Sequence, residues 1–163
     1  MASAERNLSE YNPERVPNAE LFRFGIVVSE YNADITLPLY EGCRSTLLQH
    51  GTKENNIRTV YVPGAYELVS GAHQLLHTQS LDAVITIGCV IKGETDHDVY
   101  INQAVAEGLM QLNITHHRPV LFGVLTPNTR QQALDRAGGK HGNKGVEVAI
   151  AAIKMADLYR QLQ

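Results

Sequence analysis

Asp82-Ala-Val-Ile-Thr-Ile-Gly-Cys-Val-Ile-Lys-Gly-Glu-Thr-Asp-His97 decides how the rest of the chain is read. Its first part, Ala83 to Ile87, is apolar, rich in β-branched residues and free of charge. That is the pattern of a strand buried on both faces of a parallel sheet. After Gly88 and Cys89-Val90-Ile91 the composition turns polar, from Lys92 to His97, and helical spacing resumes from about Tyr100. Open α/β sheets bind ligands beyond the carboxyl ends of their strands. A histidine just past such an end is suited to proton transfer, and a Gly93-Glu94-Thr95 turn at a helix start offers backbone N–H groups to an anion. The same residues would also make an ordinary polar loop.

Working outward, strands and helices alternate. Phe22 to Ser29 reads as the first strand and Glu30 to Asp34 as its terminal loop. Thr36 is expected to cap the next helix with Pro38 in its first turn, and Leu37, Tyr40, Cys43 and Leu47 to form its apolar face before Gly51 ends it. Ile57 to Val62 is a second strand, closed by Pro63-Gly64-Ala65-Tyr66-Glu67. A helix to about His77 then carries Leu68, Val69, Ala72, Leu75 and Leu76 on one face, with His73 and His77 on the other. Those two read as solvated histidines, since no third metal ligand is suggested nearby.

Beyond His97, a helix from about Tyr100 is expected to bury Ile101, Val105, Leu109 and Leu112. Gly108 within it costs roughly 1 kcal/mol relative to Ala and marks close packing. Val120 to Leu125 is the fourth strand, followed by a Thr126–Thr129 loop and a short helix from about Thr129 to Ala137. Gly138 to Gly145 reads as a flexible basic bridge, and about residues 143–162 as the last helix. Two apolar stripes run along that helix, Val146, Ala149, Ile150, Ile153 and Val148, Ala152, Met155, Tyr159. One faces the sheet; the other requires a further element or subunit. The alternation predicts one α/β domain over 21–163, a parallel sheet of four strands between helical layers. Residues 1–20, polar and with Pro13 and Pro17, read as an extended arm that lies on a neighbouring subunit.

Composition narrows the function. The 163 residues have a net charge of −3 and no Trp; no Lys/Arg run or aromatic series favours nucleic acid. No apolar run spans a bilayer and the N-terminus is not a secretory signal, so no membrane partner and a cytoplasmic location are expected. Cys43 and Cys89 read as buried free thiols. No dinucleotide fingerprint, phosphate-binding P-loop or nucleophile elbow occurs.

Parallel topology converges the loops on one sheet edge. There Tyr31 or Phe122 could flank a planar heterocycle, and Glu67 could accept hydrogen bonds from hydroxyls. Arg136 with the Glu94-Thr95 turn suits a phosphate, with Lys140 and Lys144 nearby, and His97 suits proton transfer. Read differently, Arg136 is surface charge, Tyr31 is loop packing and Glu67 favours a helix N-terminus. The residues by themselves describe an α/β protein that binds a phosphorylated small molecule and moves protons.

GIVVSEYNADIT (25–36), VPGAYEL (62–68), DAVITIGCVIKGETDH (82–97), PVLFGVLT (119–126), QALDRAG (132–138) and GNKGVEVAIAAIKMADL (142–158) together resemble the 6,7-dimethyl-8-ribityllumazine synthases, in order and spacing. The resemblance implies a flavodoxin-like three-layer α/β/α sandwich, its sheet extended by a neighbour's N-terminal arm. It implies condensation of 5-amino-6-(D-ribitylamino)uracil with 3,4-dihydroxy-2-butanone 4-phosphate, without metal or cofactor. By matching positions, Tyr31, Ala65, Tyr66, Glu67, Cys89, Val90, Ile91 and Phe122 take the pyrimidine and ribityl chain. Glu94, Thr95, Arg136 and Lys144 take the phosphate, and His97 transfers protons. Two positions depart from the family: Asp98-Val99-Tyr100 stands where an aromatic followed by Asp-Tyr is common, which suggests that Asp98 tunes His97, and Glu30 stands where a cation is common. The implied partners are copies of the chain itself, as pentamers with sites between neighbours or as a sixty-subunit shell, and riboflavin synthase. The short Gly138–Gly145 bridge leans towards the shell. A non-catalytic lumazine- or flavin-binding module and a phosphosugar enzyme with a lysine imine at Lys92, Lys140 or Lys144 are the competing readings.

Overall fold

A computed structural model describes residues 7–162. Strands β1 (Phe24–Ser29), β2 (Ile57–Val62), β3 (Ala83–Cys89) and β4 (Val120–Leu125) form one parallel sheet in the order β2-β1-β3-β4. Between and after them come α1 (Ala33–Gln49), α2 (Leu68–Thr78), α3 (His97–His116), α4 (Arg130–Leu134) and α5 (Lys144–Gln161). A small antiparallel hairpin, β5 (Ala137–Gly139) with β6 (Gly142–Asn143), precedes α5. The three-layer α/β/α sandwich is the one expected.

The two central strands explain the layers. Every residue of β1 and β3 is buried, so successive side chains feed opposite cores. Phe24, Ile26 and Val28 pack with Ile35, Leu39, Cys43 and Leu47 of α1 and Val148, Ala149, Ala152 and Ile153 of α5. Val27 and Val84 pack with Leu68, Ala72 and Leu75 of α2 and Val105, Leu109 and Leu112 of α3. Fully burying a Leu, Ile, Val or Phe contributes about 1.5–3 kcal/mol, so these two clusters dominate stability. Close approach is built in at two glycines. A Cβ on Gly108 would lie 2.9 Å from Val69 of α2, and one on Gly145 would overlap the Leu39 carbonyl of α1.

Several local expectations are corrected. The α1 helix starts at Ala33, so Pro38 lies inside it and removes one backbone donor. Thr36 is no cap: it is fully buried, and its hydroxyl donates to the Ser29 carbonyl at 2.8 Å, tying helix to strand. Leu37 is exposed, and Ile35 and Leu39 take the core positions. The first strand begins at Phe24, not Phe22. Helix α3 begins at His97, three residues before the apolar pattern, because its first turn is exposed and carries no apolar signal. Helix α4 is shorter than expected and ends before Arg136.

The Gly138–Gly145 stretch is a pinned hairpin, not a flexible bridge. Asn143 holds it, with Nδ2 donating to Pro38 O and Oδ1 accepting from Gly145 N. Of the expected arm, residues 7–20 run along their own subunit. Leu8 N donates to His141 O at 2.7 Å, Tyr11 OH meets His50 Nε2 at 3.1 Å, and Ala19 is fully buried.

Candidate active site at the carboxyl edge of the sheet

Three turns meet beyond the ends of β1, β2 and β3. In the first, Tyr31 N donates to Pro63 O at 3.1 Å and Glu30 N to Val62 O at 2.8 Å. These two bonds fasten the β1–α1 turn to the β2–α2 turn. In the second, Glu67 Oε2 accepts from Gly64 N at 3.0 Å, which closes Pro63-Gly64-Ala65-Tyr66-Glu67 on itself. Space at Gly64 is tight: a Cβ would stand 3.0 Å from Glu67 Oε2 and 3.5 Å from the Tyr31 ring. The structure therefore brings Tyr31, Gly64 and Glu67 together. Ala65 is buried, whereas Tyr31 is 74% and Tyr66 62% exposed. Two large rings that open to solvent beside a carboxylate form a surface for a flat ligand bearing hydroxyls.

The third turn continues β3. Val90 N donates to Leu125 O at 2.8 Å and Lys92 N to Pro127 O at 3.0 Å. Cys89 O accepts from Asn32 Nδ2 at 2.9 Å. The Cys89-Val90-Ile91 backbone is thus held from both sides. Burial, then the nearby Asp34 charge, push the Cys89 thiol up to about 11, against a smaller pull from Arg130. A protonated thiol is a poor nucleophile, and the Cys89 group seen engaged at this edge is its backbone carbonyl. Cys43, buried in the α1 core, is likewise a free thiol raised by desolvation.

Lys92 to His97 then projects outward. Nothing lies within 4 Å of a Cβ on Gly93, and Glu94, Thr95 and His97 are exposed. Asp96, at the N-cap of α3, makes no side-chain cap hydrogen bond. Val99 N donates to Asp96 O at 3.0 Å, whereas the N–H groups of His97 and Asp98 have no partner among the described residues, and open helix starts of this kind attract anions. His97 is the first helical residue of this turn. Among the described residues no hydrogen bond joins Asp98 to His97.

Arg136 and Lys144 lie elsewhere. Lys144 N donates to Arg136 O at 2.9 Å across the base of the hairpin, so these two cations are neighbours. Arg136 Nη1 donates to Gln132 O at 3.0 Å, and Lys144 Nζ pairs with Glu147 at 2.8 Å. This cationic corner belongs to the α1/α5 layer, whereas Glu94-Thr95 leads into α3 on the opposite layer. Among the described residues no hydrogen bond or ion pair joins the two, although Ile91, three residues before Glu94, packs on the same cluster as Ala133 and Ala137. Phe122 also stands apart: it is 37% exposed on the edge strand β4, three residues before its end, about 10 Å short of the edge. Two grooves lie away from the Glu94-Thr95 turn, the first of them reaching Tyr66. One of about 400 Å³ runs between α2 and α3 past Tyr66, Val69 and His73, and one of about 450 Å³ lies at the amino edge beside Arg23 and Arg58. The carboxyl edge of a single chain is an open platform.

Sequence reasoning passed over Asn32 and the Asp34–Arg130 ion pair. Asn32 has φ 58°, and asparagine tolerates that left-handed conformation, so its place in the first loop was a readable signal. The ion pair joins residues 96 apart in the sequence, and no spacing announces it. His73 gains an unforeseen neighbour: its Nδ1 is 3.2 Å from His116 Nε2, and its ring stacks with His77. Among the described residues, no three His, Cys, Asp or Glu side chains are grouped to hold a metal. No described helix is long and apolar enough to cross a membrane. For the imine reading, Lys92 and Lys140 are exposed and Lys144 is ion-paired, so none is a buried, unpaired amine.

Comparison with known proteins places the whole chain in one family. The sequence profile of the 6,7-dimethyl-8-ribityllumazine synthases matches residues 21–160. A 6,7-dimethyl-8-ribityllumazine synthase of Phocaeicola vulgatus is 53% identical over 163 residues, covering 100% of this chain and 97% of that protein. The enzyme of that name from Flavobacterium psychrophilum is 52% identical, covering 99% of this chain and 85% of that protein. The one from Porphyromonas gingivalis is 51% identical, covering 98% of this chain and 99% of that protein.

Proposed function

The chain belongs to the 6,7-dimethyl-8-ribityllumazine synthase family, and from that premise we propose how its residues divide the work of the condensation. The reaction joins 5-amino-6-(D-ribitylamino)uracil to 3,4-dihydroxy-2-butanone 4-phosphate and yields the lumazine, phosphate and water. It is a transferase step of riboflavin biosynthesis. The observation that carries the assignment of roles is the Tyr31–Gly64–Glu67 cluster, tied to the Cys89-Val90-Ile91 backbone by the Asn32 amide.

On this reading the pyrimidine lies on Tyr31, against Ala65 and Tyr66, with its edge read by the backbone of Cys89, Val90 and Ile91. Glu67 accepts from ribityl hydroxyls. The free amine of the pyrimidine attacks the ketone to give an imine and lose water. Elimination then releases phosphate and leaves an enol that becomes a ketone, and the ribityl-bearing amine closes the ring on it with loss of a second water. His97 moves protons in these steps. Glu94 and Thr95, at the open start of α3, hold the phosphate while its charge grows, and preorganised donors of this kind lower such barriers. Holding both reactants together contributes several kcal/mol more, about 7–11 in the best-oriented cases.

Arg136, Lys144 and Phe122 complete the site from a neighbouring copy. The absence of any hydrogen bond or ion pair from these residues to the platform among the described residues supports that arrangement, as does the open space around Gly93. A ring of heterologous contacts closes such half-sites in turn; a homopentamer is the proposed unit, with a sixty-subunit shell of pentamers favoured by the short hairpin. Riboflavin synthase, which would consume the product, is the proposed protein partner, the cytoplasm the proposed location, and no cofactor is assigned. The described part of the arm, residues 7–20, follows its own subunit, and the remainder of the expected arm lies outside the described residues.

Mixing the protein with both substrates tests the function directly. Lumazine absorbance and fluorescence should rise together with one phosphate released per lumazine formed. Tight pyrimidine binding without turnover would instead assign the chain to the binding-module reading.

A further inference from the structure

We infer that Asn32 is a positioning residue, which fixes the backbone that reads the pyrimidine; this rests on the site proposed above. Asn32 stands at the N-cap of α1, where an asparagine side chain ordinarily accepts from the first helical N–H groups. Here it makes no such bond. Its backbone carbonyl alone starts the helix, accepting from Ile35 N at 2.8 Å and Thr36 N at 2.9 Å. Its side-chain amide instead reaches across 57 residues to donate to Cys89 O at 2.9 Å.

The reason lies in strand lengths. Pairing of β1 with β3 ends at Val28 and Ile87. Cys89 therefore has no β1 backbone partner, although β4 still pairs with it and its extension through Leu125 and Pro127. The Asn32 amide replaces the missing ladder bond. To reach that point the backbone takes φ 58° and ψ 45°, a conformation that only Gly, Asn and Asp visit at low cost. The same turn sets Tyr31 over Gly64. One residue thus fixes both the ring on which the pyrimidine would stack and the strand that would read its edge. Among the described residues no group accepts from the Ile91 N–H, which leaves it free for that edge.

Asn32→Gly separates the side chain from the turn, since glycine keeps the left-handed conformation. Asn32→Asp keeps the shape and turn but removes the donor, and serves where glycine loosens the helix start. The assembled proteins would be compared by steady-state kinetics and by hydrogen–deuterium exchange. Each variant should raise the KM for the pyrimidine about tenfold, the worth of one well-placed hydrogen bond. The KM for the phosphate substrate should stay within about twofold, since Glu94, Thr95 and Arg136 are untouched. Amide exchange over 89–92 should quicken about tenfold, with β1 and the first part of β3 unchanged. Unaltered exchange over 89–92, or equal rises in both KM values, would overturn the inference. Should the native protein form no lumazine, the reaction assignment fails by itself, and the exchange measurement still decides whether Asn32 holds the strand.

Discussion

Arg136→Ala should raise the KM for 3,4-dihydroxy-2-butanone 4-phosphate by about 10²-fold, with the KM for the pyrimidine nearly unchanged. A guanidinium on a phosphate makes charge-assisted, often forked hydrogen bonds, each worth about 1.5–3 kcal/mol. Losing them falls on the phosphate substrate, because nothing in the Tyr31–Glu67 cluster involves Arg136. Within its own chain Arg136 gives up only the donor to Gln132 O, a neutral bond worth about 1 kcal/mol, so the fold should survive. Arg136→Lys should fall between the two, since it keeps the charge but loses the fork. Steady-state kinetics with each substrate varied in turn reads all three proteins. A KM for the phosphate substrate that does not move would remove Arg136 from the site.

His97→Ala should slow turnover by about 10² and at most 10⁴-fold, the range of positioned proton transfer, without abolishing it. The α3 turn would still hold the phosphate through backbone groups that the substitution leaves in place, and binding of both reactants in one cleft would still supply proximity. His97 is exposed at the first position of α3 and makes no hydrogen bond to another described side chain, so its truncation has little structural cost. Single-turnover rates should fall while lumazine formation stays well above the uncatalysed mixture. A variant as fast as the native enzyme would assign the protons to another group or to water.

How far the sequence could be read follows from the kind of signal each element carries. Strands β1 and β3 are buried on every residue, so their apolar runs declare themselves; β2 and β4 are edges, yet the β-branched residues of β2 and the apolar run of β4 place them equally well. Helix starts were less legible. Helix α3 opens with exposed His97, Val99 and Tyr100, so its apolar period appears only one turn later. Helix α1 opens on an asparagine whose side chain is engaged elsewhere. The hairpin before α5 was hidden because glycine-rich sequence reads as flexible, whereas Asn143 bonds pin it. For the site, Tyr31, Glu67 and the β3 extension could be gathered from parallel topology alone. Arg136, Lys144 and Phe122 were gathered to the same edge by residue type, but within one chain Arg136 and Lys144 adjoin the α1/α5 layer and Phe122 lies three residues short of the end of β4. A second copy is the proposed reconciliation.

Subunit mixing tests that reconciliation most directly. Arg136→Ala protein and a Thr95→Ala/His97→Ala protein each carry a lesion in one half of the proposed shared site. Dissociated, combined in equal amounts and reassembled, they should recover up to about one quarter of native activity, the share of interfaces that unite two intact halves in a randomly filled ring. Activity no higher than the average of the two parents, in rings shown to be mixed, would place the whole site within one chain and contradict the account.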